Sequence, residues 1–250
     1  MKEYVLLFAM VAIPTQSIAQ EKNQVAGNNL RKAIAAAGGE ARFNTIKAPT
    51  MWMETGTYYG TGDGVPFVAQ YASYWPKRWY RQLVEGRFAL GLAGDQLTLF
   101  QGGAGQKLSG PSAKDALQRI RVAWAVLLYP LLEDEYELSD IAGIDVEGNP
   151  TVGIKAVHQS GSEVMLYFDK STLLLTKTEA KVAAPEMDGK RVKSETFFSD
   201  HKSFGGAILP SKYKTFYDRK LMVEGQTVGI KIHATIDPAW FGTEGPARVR

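Results

Sequence analysis

From residue 50 to residue 236 the chain is a succession of short β-type runs separated by tight turns, with one helical interruption. Thr50–Tyr59, Val65–Trp75, Arg78–Val84, Arg87–Leu92 and Leu97–Gln101 carry the β-branched, aromatic and alternating signature of strands. After the interruption come Tyr136–Ser139, Ile141–Glu147, Thr151–His158, Glu163–Asp169, Leu173–Val182, Arg191–Phe198, Ala207–Tyr217 and Leu221–Ile236. Gly60-Thr61-Gly62-Asp63-Gly64, Gly148-Asn149-Pro150, Ser160-Gly161-Ser162, Asp188-Gly189 and Gly205-Gly206 supply the turns. Such short connections join antiparallel neighbours, because a parallel crossover needs a dozen residues or more. The expected fold is therefore mainly β (α+β), one large, strongly curved antiparallel sheet whose concave face the helices could cover.

Two helical patterns supply the cover. Gln24–Ala37 places Val25, Leu30, Ala33, Ile34 and Ala37 near helical spacing, and Gly38-Gly39 stops it. Ser112 to about Tyr129 carries an apolar stripe of Leu117, Ile120, Trp124, Leu127, Leu128 and Leu131. Ser112 and Asp115 read as its cap, Pro130 as its end, and Lys114, Gln118, Arg119 and Arg121 fall off the stripe.

The first nineteen residues read as an address. Lys2 precedes the apolar run Val5–Ile13, Pro14 breaks it, and Ser17 and Ala19 are the small residues of a cleavage site. The run is shorter than the roughly 20 residues that a membrane-spanning helix needs. The expectation is a signal peptide over 1–19, a single domain over 20–250 with no transmembrane segment, and a periplasmic or secreted location. The 250 residues contain no cysteine, which excludes a disulfide framework, a thiol nucleophile and a lipidated N-terminal cysteine. A net charge of +3 without a basic stripe argues against nucleic acid as a partner.

Catalytic signatures are missing. His158, His201 and His233 are scattered, with no close metal-ligand pair. There is no nucleophile elbow, and Ser199-Asp200-His201-Lys202 lies where a strand turns. The glycine clusters at 60–64 and 102–105 do not open helices as phosphate-binding loops do, and Glu133-Asp134-Glu135 reads as a solvated acidic turn. The chain is expected to be no enzyme and to need no cofactor or metal. Aromatic residues are the positive signal. Trp52, Tyr58, Tyr59, Phe67, Tyr71, Tyr74, Trp75, Trp79 and Tyr80 crowd into one stretch. Trp52, Phe67, Tyr71 and Trp75 on the sheet, with Trp124, Leu127 and Leu128 on the helix, are the candidate lining of an apolar site. Arg78, Arg81 and Arg87 could stand at its rim.

The order of features from Val164 to Pro210 carries a resemblance. Val164-Met165-Leu166-Tyr167-Phe168-Asp169 leads to Ser171–Leu175, then Glu195–His201, then Gly206-Ala207-Ile208-Leu209-Pro210, and the helix ending in Gly38-Gly39 precedes a GTYYGTG-type strand. In this the chain resembles the LolA/LolB/RseB-like superfamily of outer-membrane lipoprotein-sorting proteins. The resemblance implies a half-barrel that holds acyl chains in an apolar cavity. The implied function is an exported envelope protein that binds a lipid or lipoprotein acyl chain as carrier or sensor. The alternative is a periplasmic interaction module with a filled core, which docks an envelope protein.

Overall fold

The computed structural model describes residues 15–75, 79–84, 88–94, 96–101, 104–233 and 235. Among these the chain forms one antiparallel sheet of fourteen strands. The first meander is β1 (Thr50–Tyr58), β2 (Val65–Tyr74), β3 (Trp79–Val84), β4 (Phe88–Ala93), β5 (Gln96–Gln101) and β6 (Ala104–Lys107). The second begins with β7 (Tyr136–Ile141), β8 (Asp145–Val146), β9 (Asn149–His158), β10 (Glu163–Asp169) and β11 (Leu175–Ala184). It ends with β12 (Lys190–Phe204), β13 (Ala207–Tyr217) and β14 (Lys220–Ile232). The two meanders join where the last strand returns beside the first, from Thr50 opposite Ile232 to Tyr58 opposite Val223.

That pairing puts β6 at one edge of the sheet and β7 at the other. The chain must cross the whole sheet to pass between them. Twelve strand-to-strand steps of about 4.8 Å would separate the edges of a flat sheet by about 58 Å. The helix in this connection, α3 (Gly110–Ala125), is only about 24 Å long. The same connection lays α3 on the inner face of the curled sheet, where it serves as the plug.

The inner face is packed by three helices, not two. α1 (Thr15–Ala36) lies on β7 and β9, α2 (Glu40–Ile46) on β13, and α3 on β11 and β10. Ala26, Leu30, Ala33, Ile34 and Ala37 form the buried stripe of α1, while Val25 points to solvent. α1 starts earlier than its periodicity suggested, inside the segment read as an address. Gly38 ends it at φ 112°, where a Cβ would stand 2.4 Å from the Gly206 carbonyl, and Gly39 N–H donates back to Ile34 O at 2.8 Å. α2 was not expected, since seven residues are too few to show a period.

α3 is capped at Ser109 rather than Ser112, with Gly110 and Pro111 opening its first turn. It ends at Ala125, and a 3-10 turn follows over Tyr129–Leu132, entered through Leu128 at φ 60°. Gln118, read as lying off the apolar stripe, is buried. The pairing of β10 with β11 stops at Met165 opposite Glu179, leaving later β11 carbonyls without a strand partner on that side. Gln118 Nε2 donates to Lys181 O at 2.7 Å and Arg119 Nη1 to Ala183 O at 3.1 Å, so α3 satisfies them. Two other readings change. Ile141–Glu147 is not one strand, because Gly143 approaches the Thr151 carbonyl too closely for any side chain and only Asp145–Val146 pairs again. β6 is an unforeseen edge strand, held by backbone pairing to β5.

Candidate functional site

Period-two alternation and strand register bring the aromatic residues to one face. Trp52 stands opposite Tyr71 and Gly56 opposite Phe67, so all three rings project to the side that the helices cover. Trp52 stacks on Tyr71 with centroids 5.0 Å apart and planes 5° from parallel. Tyr71 lies 6.3 Å from Tyr80, and Tyr80 lies 6.1 Å from Trp124 of α3. Trp124 meets Trp75 edge-on at 4.9 Å, and Trp75 meets Tyr129 at 5.6 Å. Four of the expected residues, Trp52, Tyr71, Trp75 and Trp124, thus belong to one continuous aromatic row. Phe67 lies outside the row, its ring beside Gly56. Leu128 is buried and Leu127 packs half-buried against the same core.

This face has two zones. Under α3 it is filled. Trp75, Trp124, Leu128 and Tyr129 are buried, and the cavity beside Trp75, Leu92, Ile120 and Trp124 measures about 50 Å³. That is room for a water molecule or two, whose share of liquid volume is about 30 Å³ each, and not for an acyl chain. Ser73 Oγ, Trp124 Nε1 and the Tyr129 hydroxyl are buried here without a hydrogen-bond partner. Over the central strands the cover thins. Trp52, Phe67, Tyr71, Phe198 and Tyr213 are all half-buried.

A carboxylate stands in the second zone. Alternation that points Trp52 inward also points Glu54 inward. Trp52 Nε1 donates to Glu54 Oε1 at 3.0 Å, and the Tyr213 hydroxyl donates to Oε2 at 2.8 Å. Tyr71 is also hydrogen-bonded to Glu54 and accepts from Gln82 Nε2 at 3.2 Å. Glu54 is half-buried as a residue, with its carboxylate set deep among the rings. Burial pushes the Glu54 carboxyl above its ordinary 4.5, against the pull of the three donors. Burial, and then the charge of Glu54, push the Tyr71, Tyr80 and Tyr213 phenols up, so they stay neutral. The sequence reading passed over Glu54 and Tyr213. The signal for the first was the strand period itself, which assigns Glu54 to the same side as Trp52.

The remaining polar residues are structural. His158 is buried, its Nδ1 accepting from Ser160 N–H at 3.0 Å and its Nε2 lying 3.7 Å from Glu135. His201 contacts the Leu175 carbonyl at 2.9 Å, and His233 is exposed beyond β14. Ser199-Asp200-His201-Lys202 lies within β12 in unbroken register with β13, with Asp200 at φ 53° and paired to Lys202 and Lys212. Glu133 is less free than a solvated turn, since it accepts from Trp75 Nε1 at 3.4 Å and lies 3.9 Å from Lys47. Among the described residues no group of His, Asp and Glu could hold a metal ion. Arg78 and Arg87 lie outside the described residues, as does the Arg81 side chain.

Solved structures share this architecture along most of the chain. An outer-membrane lipoprotein-sorting protein domain from Vibrio parahaemolyticus superposes with a TM-score of 0.58 at 10% identity, covering 92% of this chain and 100% of its own. The fold is LolA-like. A LolA superfamily protein from Nitrosomonas europaea gives a TM-score of 0.59 at 11% identity, over 87% of this chain and 97% of that one. A DUF1329 family protein from Desulfovibrio piger gives 0.58 at 13% identity with the same coverage. No family model and no curated protein matches the LolA-like chain by sequence. At this identity the likeness is one of fold.

Proposed function

We propose that the protein binds an apolar or lipidic ligand, such as a lipid or a lipoprotein acyl chain, on the inner face of the half-barrel, as a carrier or sensor in the cell envelope. The half-buried aromatic surface of Trp52, Phe67 and Tyr71 carries this reading. Covering it with an acyl chain gains roughly 0.8 kcal/mol per methylene, so a dozen methylenes outweigh the ordering cost of one flexible chain. Trp75, Trp124, Leu127 and Leu128 would join the site if α3 shifts, because Trp75, Trp124 and Leu128 belong to the buried core and Leu127 packs against it. Export rests on the apolar run Val5–Ile13 and the small residues Ser17 and Ala19, with the domain running from residue 20. The buried stripe of α1, from Ala26 onward, lies downstream of that cleavage point. No helix among the described residues is long and apolar enough to cross a membrane.

The test is native mass spectrometry of protein purified from the envelope fraction, followed by solvent extraction. A stoichiometric adduct that extracts as a lipid or lipidated peptide is the expected result. The filled zone under α3 favours the alternative, a module that docks an envelope protein. A clean apo mass with no uptake of added fatty acid or phospholipid would favour that alternative instead.

A further inference from the structure

We infer that the outer face of β2–β5 is the docking surface for the chain's own C-terminal segment, residues 236–250, with Trp240 and Phe241 as its apolar anchors. The inference is independent of the ligand reading, because it concerns the face of the sheet turned away from the helices.

Strand register sets out one row on this face. Met53 stands opposite Gln70, Gln70 opposite Leu83, Leu83 opposite Ala89, Ala89 opposite Phe100, and Phe100 opposite Gly105. Trp52 and Tyr71, next to this row in sequence, point to the inner side, so the row points outward. Met53 is 39% exposed, as a methionine on a bare sheet face should be, whereas Leu83, Ala89 and Phe100 are only 8%, 3% and 4% exposed. Those three form a cluster of their own, separate from the main core that holds Leu90, Leu92 and Leu97 on the inner face. Phe100 is the tallest side chain among them, and its flanking neighbours Ala89 and Gly105 cannot roof it. Thr98, on the same face between Gly91 and Lys107, is fully buried as well. Thr98 Oγ1 and Gln70 Oε1 are buried without a hydrogen-bond partner. A cover that excludes water and satisfies neither atom is apolar.

The described helices do not supply that cover, since α1 lies on β7 and β9, α2 on β13, and α3 on β11 and β10. The connections 85–87 and 102–103 are three and two residues long and are spent in reversing the chain between paired strands. Residues 1–14 belong to the stretch read as a signal peptide. Residues 236–250 remain. They follow β14, which pairs with β1, so five strand steps of about 4.8 Å put β5 about 24 Å away. Fifteen residues span up to about 50 Å when extended. Trp240-Phe241 is the apolar centre of this segment, and two adjacent rings offer a large apolar contact at low entropy cost. Seated on Leu83, Ala89 and Phe100, the segment clamps the first meander from outside.

The experiment uses the mature chain, which has no cysteine of its own, with Ala89→Cys as a reporter in the covered part of the row and Met53→Cys as one in the bare part. Maleimide labelling under native conditions is expected to be at least about tenfold slower at Ala89→Cys, because a covered thiol reacts only when its cover opens. Removing residues 236–250, or combining Trp240→Ser with Phe241→Ser in the full chain, is expected to speed labelling of Ala89→Cys about tenfold and to leave Met53→Cys unchanged. A peptide of residues 236–250 added to the shortened chain is expected to restore the protection. Continued protection of Ala89→Cys in the folded, shortened chain overturns the inference, and so does equal labelling of the two reporters in the full chain. Where the shortened chain does not fold, oxidation of full chains that combine Ala89→Cys with Trp240→Cys or with Phe241→Cys decides the matter. An intramolecular disulfide in at least one pair is expected, since only thiols on neighbouring backbone can form it, and its absence from both overturns the inference.

Discussion

Tyr213 on β13 and Glu54 on β1 are on strands that do not pair, and they meet because Gly225 on the strand between them has no side chain. The phenol lies over Gly225, where a Cβ would stand 2.4 Å from Tyr213 Cζ, and its hydroxyl reaches Glu54 at 2.8 Å. Gly225→Ala must displace the ring and break that bond. A loss of about 1–3 kcal/mol is expected, as for other overpacked sites. Gly229→Ala in the same strand is the control, because a Cβ there meets nothing within 4 Å. Urea unfolding of both variants checks the contrast. Equal stability of the two would show that Tyr213 does not depend on Gly225.

Glu54 also gives stability a pH dependence with a definite sign. Its folded carboxyl titrates above 4.5, its ordinary value when exposed. The groups facing it are Tyr71, Tyr80 and Tyr213, which stay neutral, together with Trp52 and Gln82. The folded state therefore holds this proton more tightly than the unfolded state does. Its contribution is fully present below 4.5 and is lost as pH rises through the folded value. Glu54→Gln is expected to flatten that part of a Tm-against-pH curve and to raise Tm at pH 7. A variant curve parallel to wild type above pH 4.5 would contradict the shift.

Asp169 works in the opposite direction and in a separate window. Its Oδ1 accepts from the Ser171 hydroxyl at 2.6 Å and N–H at 3.0 Å, and from the Thr172 N–H at 2.7 Å and hydroxyl at 3.0 Å. The Ser171 hydroxyl bond and then the Thr172 backbone bond pull its carboxyl from 3.8 down to about 2. That contribution is present above 3.8 and lost as pH falls through about 2. Asp169→Asn is expected to cost about 1 kcal/mol at neutral pH, the scale of one lost hydrogen bond at an exposed turn, and clearly less near pH 2. Chemical denaturation at the two pH values checks this.

The strands were legible because alternation and turn glycines are local signals. β10 and β13 have the boundaries that their sequences suggest. What escaped was set by distant partners. Ala104-Gly105-Gln106-Lys107 has no β character of its own and becomes β6 only by pairing with β5. β12 runs on to Phe204 because its pairing with β13 keeps one register from Ser194 opposite Tyr217 to Phe204 opposite Ala207. Gln118 looked like a surface residue until the unpaired carbonyls of β11 gave it a buried role. In the candidate site, the aromatic row was visible as composition. The tie from Glu54 to Tyr213 spans 159 residues, and its geometry depends on the β1–β14 pairing, which no local pattern announces.

The two zones of the inner face should separate stability from binding. Trp124 is buried against Trp75 and Tyr80 in the filled zone, so Trp124→Ala leaves a cavity and is expected to cost about 3–5 kcal/mol. Trp52 is half-buried, stacked on Tyr71 and bonded through Nε1 to Glu54. Trp52→Ala removes less buried surface, and a cost of about 1–2 kcal/mol is expected, consistent with one aromatic pair and one hydrogen bond. Its effect on binding should be the larger one, because Trp52 belongs to the surface that a ligand would cover, with a loss of about tenfold in affinity for an apolar fluorescent probe such as N-phenylnaphthylamine. Urea midpoints and probe titrations on the same two variants decide the matter. If Trp52→Ala binds the probe as wild type does while remaining folded, the ligand surface is not the open zone. If Trp124→Ala is as stable as wild type, the zone beneath α3 is not the packed core that its aromatic contacts describe.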